Sequence, residues 1–304
     1  LSAAQTIVCR KLTKFYGRTR GIESLDLEIG AGEIFGFLGP NGAGKTTTIR
    51  QLMGLLRPTG GSASILGMDS WRDSVRIKLH VGNIPGDVHL YEHLKVSEHL
   101  DYIDRFRPGP DPLRDELVER FSLDTGKKVK SLSSGNRQKV AIVMAVMHDP
   151  DILILDEPTS GLDPLMQQEF YTLMEELKER GRTIFLSSHI LSEVERVCDR
   201  VGIVRDGILV DTRGIEELKQ KKVRHMDVRF RERVDAAGFE ALPQVTAVQA
   251  FDRQMRITVQ GDVDALVKQL ARYEVEDLTF TQPSLEDFFM GFYGPAEEGG
   301  SGDA

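Results

Sequence analysis

Ile34-Phe35-Gly36-Phe37-Leu38-Gly39-Pro40-Asn41-Gly42-Ala43-Gly44-Lys45-Thr46-Thr47 is the stretch on which the fold turns. An apolar run leads into a glycine-rich loop, and the loop opens a helical segment. Strand, loop, helix is the context in which a GxxxxGK[ST] sequence cradles phosphate. The glycines let backbone N–H groups curl around the β- and γ-phosphates of a nucleotide, and the first turn of the helix adds its own unpaired donors. Gly39, Pro40, Asn41, Gly42, Ala43, Gly44, Lys45, Thr46 and Thr47 are therefore nucleotide-contact candidates. Lys45 brings a mobile positive charge to the reacting phosphate, and Thr46 brings a hydroxyl for Mg²⁺.

A second apolar strand, Asp151-Ile152-Leu153-Ile154-Leu155-Asp156-Glu157, delivers two carboxylates at its carboxyl end. Open α/β sheets bind ligands at that end. Asp156 is suited to hold Mg²⁺, and Glu157 to polarise the attacking water as general base.

Between these motifs lies Leu132-Ser133-Ser134-Gly135-Asn136-Arg137-Gln138-Lys139. With it the chain resembles the ATP-binding cassette (ABC) family. The resemblance implies ATP and Mg²⁺ as cofactors. It implies that Tyr16, in Lys14-Phe15-Tyr16-Gly17, stacks on adenine. Ser133, Ser134, Gly135 and Asn136 fall where the family signature meets the γ-phosphate of a partner subunit's ATP. Asp163, in Ser160-Gly161-Leu162-Asp163, falls in the dimer-contact loop, and His189, in Ser187-Ser188-His189, matches the switch histidine at the γ-phosphate. A neutral imidazole there both donates and accepts a hydrogen bond near pH 7.

Two departures from the family pattern stand out. Ser134 and Asn136 replace the usual second glycine and glutamine of the signature, but both remain small or polar. Gly86, in Val81-Gly82-Asn83-Ile84-Pro85-Gly86-Asp87, replaces a glutamine that touches Mg²⁺ and senses the membrane partner. Glycine has no side-chain ligand, so either Asp87, after a one-residue loop shift, or water fills that place.

The 304 residues suffice for one large or two ordinary domains, and a net charge of −8 argues against a broad nucleic-acid footprint. Only two cysteines, Cys9 and Cys198, are present, which fits a reducing cytosol and core thiols rather than a disulfide framework. The longest apolar run, residues 140–147, falls far short of the roughly 20 needed to cross a bilayer, and the opening residues do not read as a leader. Membrane work is therefore assigned to separate permease subunits. The expected location is cytoplasmic, peripheral on the inner face of the cell membrane through that permease.

Residues 1–221 are read as an α/β nucleotide-binding domain of P-loop type: a β-rich edge, a RecA-like core and a helical subdomain over about residues 88–150. Asp163-Pro164 opens a helix whose apolar face is read as Leu165, Phe170, Leu173, Met174 and Leu177, closed by Gly181. His89, His93 and His99 are read as surface residues rather than metal ligands. Residues 222–294 show a βαββαβ-like pattern, resembling a compact ferredoxin-like α+β domain. That part ends in Pro283-Ser284-Leu285-Glu286-Asp287-Phe288-Phe289 and Phe292-Tyr293-Gly294, similar to the tail of the ATPase component of two-component bacterial drug and antibiotic exporters, a resemblance that implies export of a drug, antibiotic or other hydrophobic compound; residues 295–304 are read as a disordered tail.

One copy of each motif per chain, together with a signature that serves a partner's ATP, implies a head-to-tail homodimer with two ATP between the subunits. The alternative readings are a soluble ABC-type mechanochemical ATPase and a weakly hydrolysing nucleotide-dependent regulator without a permease.

Overall fold

The computed structural model describes residues 5–106, 109, 111–220 and 223–281. The chain divides into two compact units after Ile215. The expectations for the aromatic tail and for residues 295–304 lie outside the described residues.

The first unit opens with β1 (Gln5–Tyr16) and β2 (Thr19–Gly30), which pair antiparallel. Then come β3 (Ile34–Leu38), α1 (Lys45–Leu52), β4 (Gly60–Ile65), β5 (Met68–Asp69), α2 (Ser74–Ile77) and β6 (Val81–Ile84). α3 (Val96–Asp104), α4 (Arg114–Arg120) and α5 (Ser134–Val146) follow, then β7 (Ile152–Asp156), α6 (Pro164–Glu179), β8 (Thr183–Ser188), α7 (Leu191–Val197), β9 (Arg200–Arg205) and β10 (Ile208–Gly214). α8 (Ile215–Gln220) starts at the boundary, its residues from Glu216 onward belonging to the second unit.

Two sheets organise this unit. An antiparallel edge sheet has the order β2-β1-β4-β5, and a six-stranded sheet has the order β10-β9-β3-β8-β7-β6. Within the latter, β9, β3, β8, β7 and β6 run parallel, and β10 returns antiparallel. Parallel strands covered on both faces read as continuous apolar runs, as β3 and β7 do: every residue of each is buried. Phe35 and Phe37 of β3 pack on Phe185 of β8, with ring centroids 6.1 and 5.4 Å apart.

The helix α6 shows how local signals set its limits. The Asp163 carboxylate accepts the Met166 N–H at 3.0 Å, Pro164 fills the first turn, and Gly181 ends the helix at φ 82°. The Gly181 N–H then bonds Lys178 O at 2.8 Å and the Arg182 N–H bonds Leu177 O at 3.0 Å, the paired closure of a Schellman motif. Phe170, Leu173, Met174 and Leu177 are buried as expected, but Leu165 is 72% exposed. At 100° per residue its side chain lies off the phase that Phe170, Met174 and Leu177 share.

His99 likewise departs from the surface reading: it is 2% exposed, sharing the buried face of α3 with Val96 and Leu100. Neither ring nitrogen has a hydrogen-bond partner, and burial lowers its pKa, favouring the neutral imidazole.

The second unit runs β11 (Val223–Phe230), α9 (Ala237–Glu240), β12 (Val245–Phe251), β13 (Gln254–Gln260), α10 (Asp264–Leu270) and β14 (Val275–Thr281). Its antiparallel sheet has the order β12-β13-β11-β14. Alternate residues Met226, Val228 and Phe230 face the core with Met255, Ile257 and Val259, and Phe239, Leu266 and Leu270 from the helices cover them.

Candidate active site

Strand register gathers the site. Leu38 lies opposite Ser188, Asp156 opposite Ser187, and Ile84 opposite Leu155. The carboxyl ends of β3, β7, β8 and β6 therefore present the phosphate loop, the two acids, His189 and Gly86 on one edge of the sheet. Four segments from distant parts of the chain meet because their strands are parallel and end level.

The loop itself has the shape its glycines allow. Gly42 and Gly44 take φ 83° and 105°, and a Cβ on Gly44 would stand 2.6 Å from Gly21 O. No other residue type adopts that conformation in that space. Lys45 is 5% exposed; its Nζ donates to Gly39 O at 2.7 Å and Pro40 O at 3.2 Å, and lies 3.5 Å from Glu157 Oε1. Thr46 Oγ1 donates to Asp156 Oδ2 at 2.7 Å, and Ser187 Oγ donates to the other carboxylate oxygen. Asp156 is thus oriented from both sides.

Glu157 sits at φ 49°, a left-handed conformation that costs on the order of 1 kcal/mol for a non-glycine residue. Its N–H holds it there through Ser187 O at 3.1 Å. The turn aims the carboxylate at His189, whose Nδ1 lies 3.1 Å from Glu157 Oε1. Lys45, Glu157 and His189 therefore form one chain of contacts, with Thr46, Asp156 and Ser187 beside it. Ser187 and the Asp156 clamp escaped the sequence reading, although Ser187 lies within the quoted Ser187-Ser188-His189 run.

Tyr16 is 46% exposed, its ring beneath Lys14 Nζ at 5.6 Å and its hydroxyl 3.5 Å from Thr47 Oγ1. An aromatic face beside the loop is thus available for stacking. Gly86 lies against the acid: a Cβ there would stand 2.8 Å from Asp156 Oδ2. Asp87 instead points to solvent, its side chain 83% exposed and 3.5 Å from His89 Nδ1.

Ser133 caps α5, accepting the Asn136 N–H at 3.3 Å. Gly135 abuts the loop before α6, because a Cβ there would meet Gly161 O at 2.6 Å, and Gly161 in turn faces Ser134. Asp163 spends its carboxylate on the α6 cap. Among the described residues no hydrogen bond or ion pair joins residues 133–136 to the phosphate loop of the same chain. Gln138, which the sequence reading passed over, ties α5 to the catalytic turn through a 2.6 Å bond from Nε2 to Pro158 O.

The oxygen donors of Thr46 and Asp156 suit a hard divalent cation, and the Gly42–Gly44 cradle suits phosphate. Fold and site together define a P-loop nucleotide-binding cassette of the α/β class. A family model described as ABC transporter matches residues 22–160, and an AAA-domain model matches residues 128–195. The chain is 35% identical over 300 residues to the bacitracin transport ATP-binding protein BcrA of Bacillus licheniformis, covering 93% of this chain and 95% of that one. It is 34% identical to the daunorubicin resistance ATP-binding protein DrrA3 of Streptomyces coeruleorubidus, covering 91% and 92%. A solved ATP-binding subunit of an ABC transporter superposes with a TM-score of 0.66 at 30% identity, over 71% of this chain and 92% of that one. The chain belongs to the ABC transporter ATP-binding family. It is a transport ATPase, hydrolysing ATP to drive a separate membrane permease. Among the described residues no helix is long and apolar enough to cross a membrane.

Proposed function

We propose that this ATPase powers export of a drug, antibiotic or other hydrophobic compound, working as a head-to-tail homodimer with two ATP at the interface, on the inner face of the cell membrane. The observation that carries the catalytic part is the contact chain from Lys45 through Glu157 to His189 at the level ends of β3, β7 and β8. The names of the bacitracin and daunorubicin relatives, which align over nearly their whole length, support the cargo class.

In this reading the loop N–H groups and Lys45 hold the β- and γ-phosphates, and Tyr16 stacks on adenine. Thr46 and Asp156 hold Mg²⁺, which when bound offsets phosphate charge. Glu157 takes the proton of the attacking water, and His189 orients that carboxylate and reaches the γ-phosphate. Ser133 and Gly135 serve the ATP of the other subunit, which accords with their lack of bonds to their own phosphate loop. Hydrolysis removes those bridging contacts and opens the dimer, giving the permease its two states. The second unit, with its βαββαβ order and β12-β13-β11-β14 sheet, is read as a ferredoxin-like domain.

Co-purification tests the reading. A tagged chain expressed in its native host and extracted in mild detergent should bring a stoichiometric multi-span membrane protein that changes ATP turnover and whose loss raises sensitivity to a hydrophobic antibiotic. Turnover intact with no membrane partner would overturn it.

A further inference from the structure

Behind the Glu157–His189 pair lies a second carboxylate that the mechanism above does not use. Glu193, in the first turn of α7, is 6% exposed. It accepts hydrogen bonds from three hydroxyls: Thr159 Oγ1 and Tyr171 OH on Oε1, the latter at 3.3 Å, and Ser188 Oγ on Oε2 at 2.7 Å. A buried carboxylate is costly unless it is fully hydrogen-bonded, and here both oxygens are occupied.

The donors come from three different elements. Thr159 lies two residues beyond Glu157, in the turn that Ser160 N–H closes onto Glu157 O at 3.1 Å. Ser188 immediately precedes His189, and its hydroxyl accepts the Ile190 N–H at 2.9 Å, so it fixes the turn on both sides of the histidine. Tyr171 anchors the assembly to α6; burial, and after it the Glu193 charge, pushes its phenol pKa well above the ordinary value, so it stays a donor. Arg196 stacks over the same ring at 5.0 Å.

We propose that Glu193 is a positioning residue for ATP hydrolysis. It ties the turn that follows Glu157 to the turn that carries His189, and so holds those two side chains in register. The inference rests on the roles given above to Glu157 and His189. Ser187 ties the two strand ends upstream of the pair, its Oγ and O accepting the Glu157 N–H at 3.3 and 3.1 Å, whereas Glu193 ties Thr159, beyond Glu157, to Ser188, next to His189; loosening Glu193 therefore lets the two side chains shift while leaving the phosphate loop, on β3 and α1, as it is.

A double-mutant cycle with the permease-coupled ATPase tests this. Glu193→Gln keeps the side-chain volume and Glu193→Ala removes the link. Losing a hydrogen bond to a charged group predicts roughly a tenfold lower kcat for Glu193→Ala, with the KM for ATP changed less than about twofold. Glu193→Gln, which keeps an acceptor, should fall between the parent and Glu193→Ala. Since Glu193 acts through His189, adding Glu193→Ala to a His189→Ala chain should cost less than about twofold more. Thr159→Val cuts one side of the link without a cavity and should reproduce the kcat loss with a melting temperature near the parent value. If the Glu193 and His189 losses multiply, or if kcat falls only where the melting temperature falls, Glu193 is merely structural and the proposal is wrong. If His189→Ala alone hydrolyses ATP at the parent rate, the fault lies in the underlying reading of His189, a result distinct from multiplying losses.

Discussion

At the scale of single residues, conformation and charge are set by neighbours a few ångströms away. Lys45 is held by the Gly39 and Pro40 carbonyls, so it is poised over the loop before any phosphate arrives. Lys45→Ala should weaken ATP binding at least tenfold, read by fluorescent nucleotide titration, because a charge-assisted phosphate contact goes with it. Glu157→Gln keeps the shape and the turn but removes the base; kcat should fall by about 10² or more while ATP affinity stays within about twofold. The two cysteines behave as core groups. Burial pushes the Cys9 thiol up to about 12, with Asp26 adding to it, and raises Cys198 as well, chiefly by burial and then through Asp199 and Glu193. Neither thiol should react with an aromatic disulfide reagent at pH 8 in the native state, and both should react in denaturant. Their raised native pKa values also mean that stability present below the unfolded pKa near 9 declines as pH rises toward 12.

At the scale of elements, caps and bridges fix how helices sit. Asp163→Ala removes the α6 cap and should cost about 1 kcal/mol in denaturant unfolding. Arg120 of α4 bonds Glu169 and Glu176 of α6, the latter at 2.6 Å, and its hydrogen bond holds the Glu176 carboxyl below its usual pKa. A carboxylate lowered in the folded state stabilises fully above its unfolded pKa, and that contribution is lost as pH falls through the folded value. The melting-temperature deficit of Arg120→Met should therefore be full at pH 7 and shrink below about pH 4.5. Gly86→Ala places a Cβ against Asp156 and should lower turnover several-fold.

Elements also show why only part of this was legible in the chain. The phosphate loop, the acidic strand end and the α6 cap are contiguous residues, so spacing alone reveals them. The Arg120 bridge joins residues 49 and 56 positions apart, and the Glu193 cluster joins residues up to 34 apart. No local pattern encodes such pairings; they exist only once parallel strands set which loops are adjacent. Leu165 and His99 were misread for the complementary reason. Residue type suggested one side of a helix, whereas helical phase against Phe170 and against Val96 with Leu100 put each on the other.

At the scale of the whole molecule, one chain carries a phosphate loop with its acids and a signature that, among the described residues, makes no hydrogen bond or ion pair to that loop. A complete site on this account takes its loop from one copy and its signature from the next. Turnover should therefore rise more steeply than linearly with subunit concentration when the permease is absent.

The most direct test mixes two inactive chains, Lys45→Ala and Gly135→Asp. A mixed dimer pairs the intact loop of one with the intact signature of the other, so the account predicts recovery to about a quarter of the parent ATPase rate at equal mixing. No recovery at any ratio, with dimers present, would contradict it.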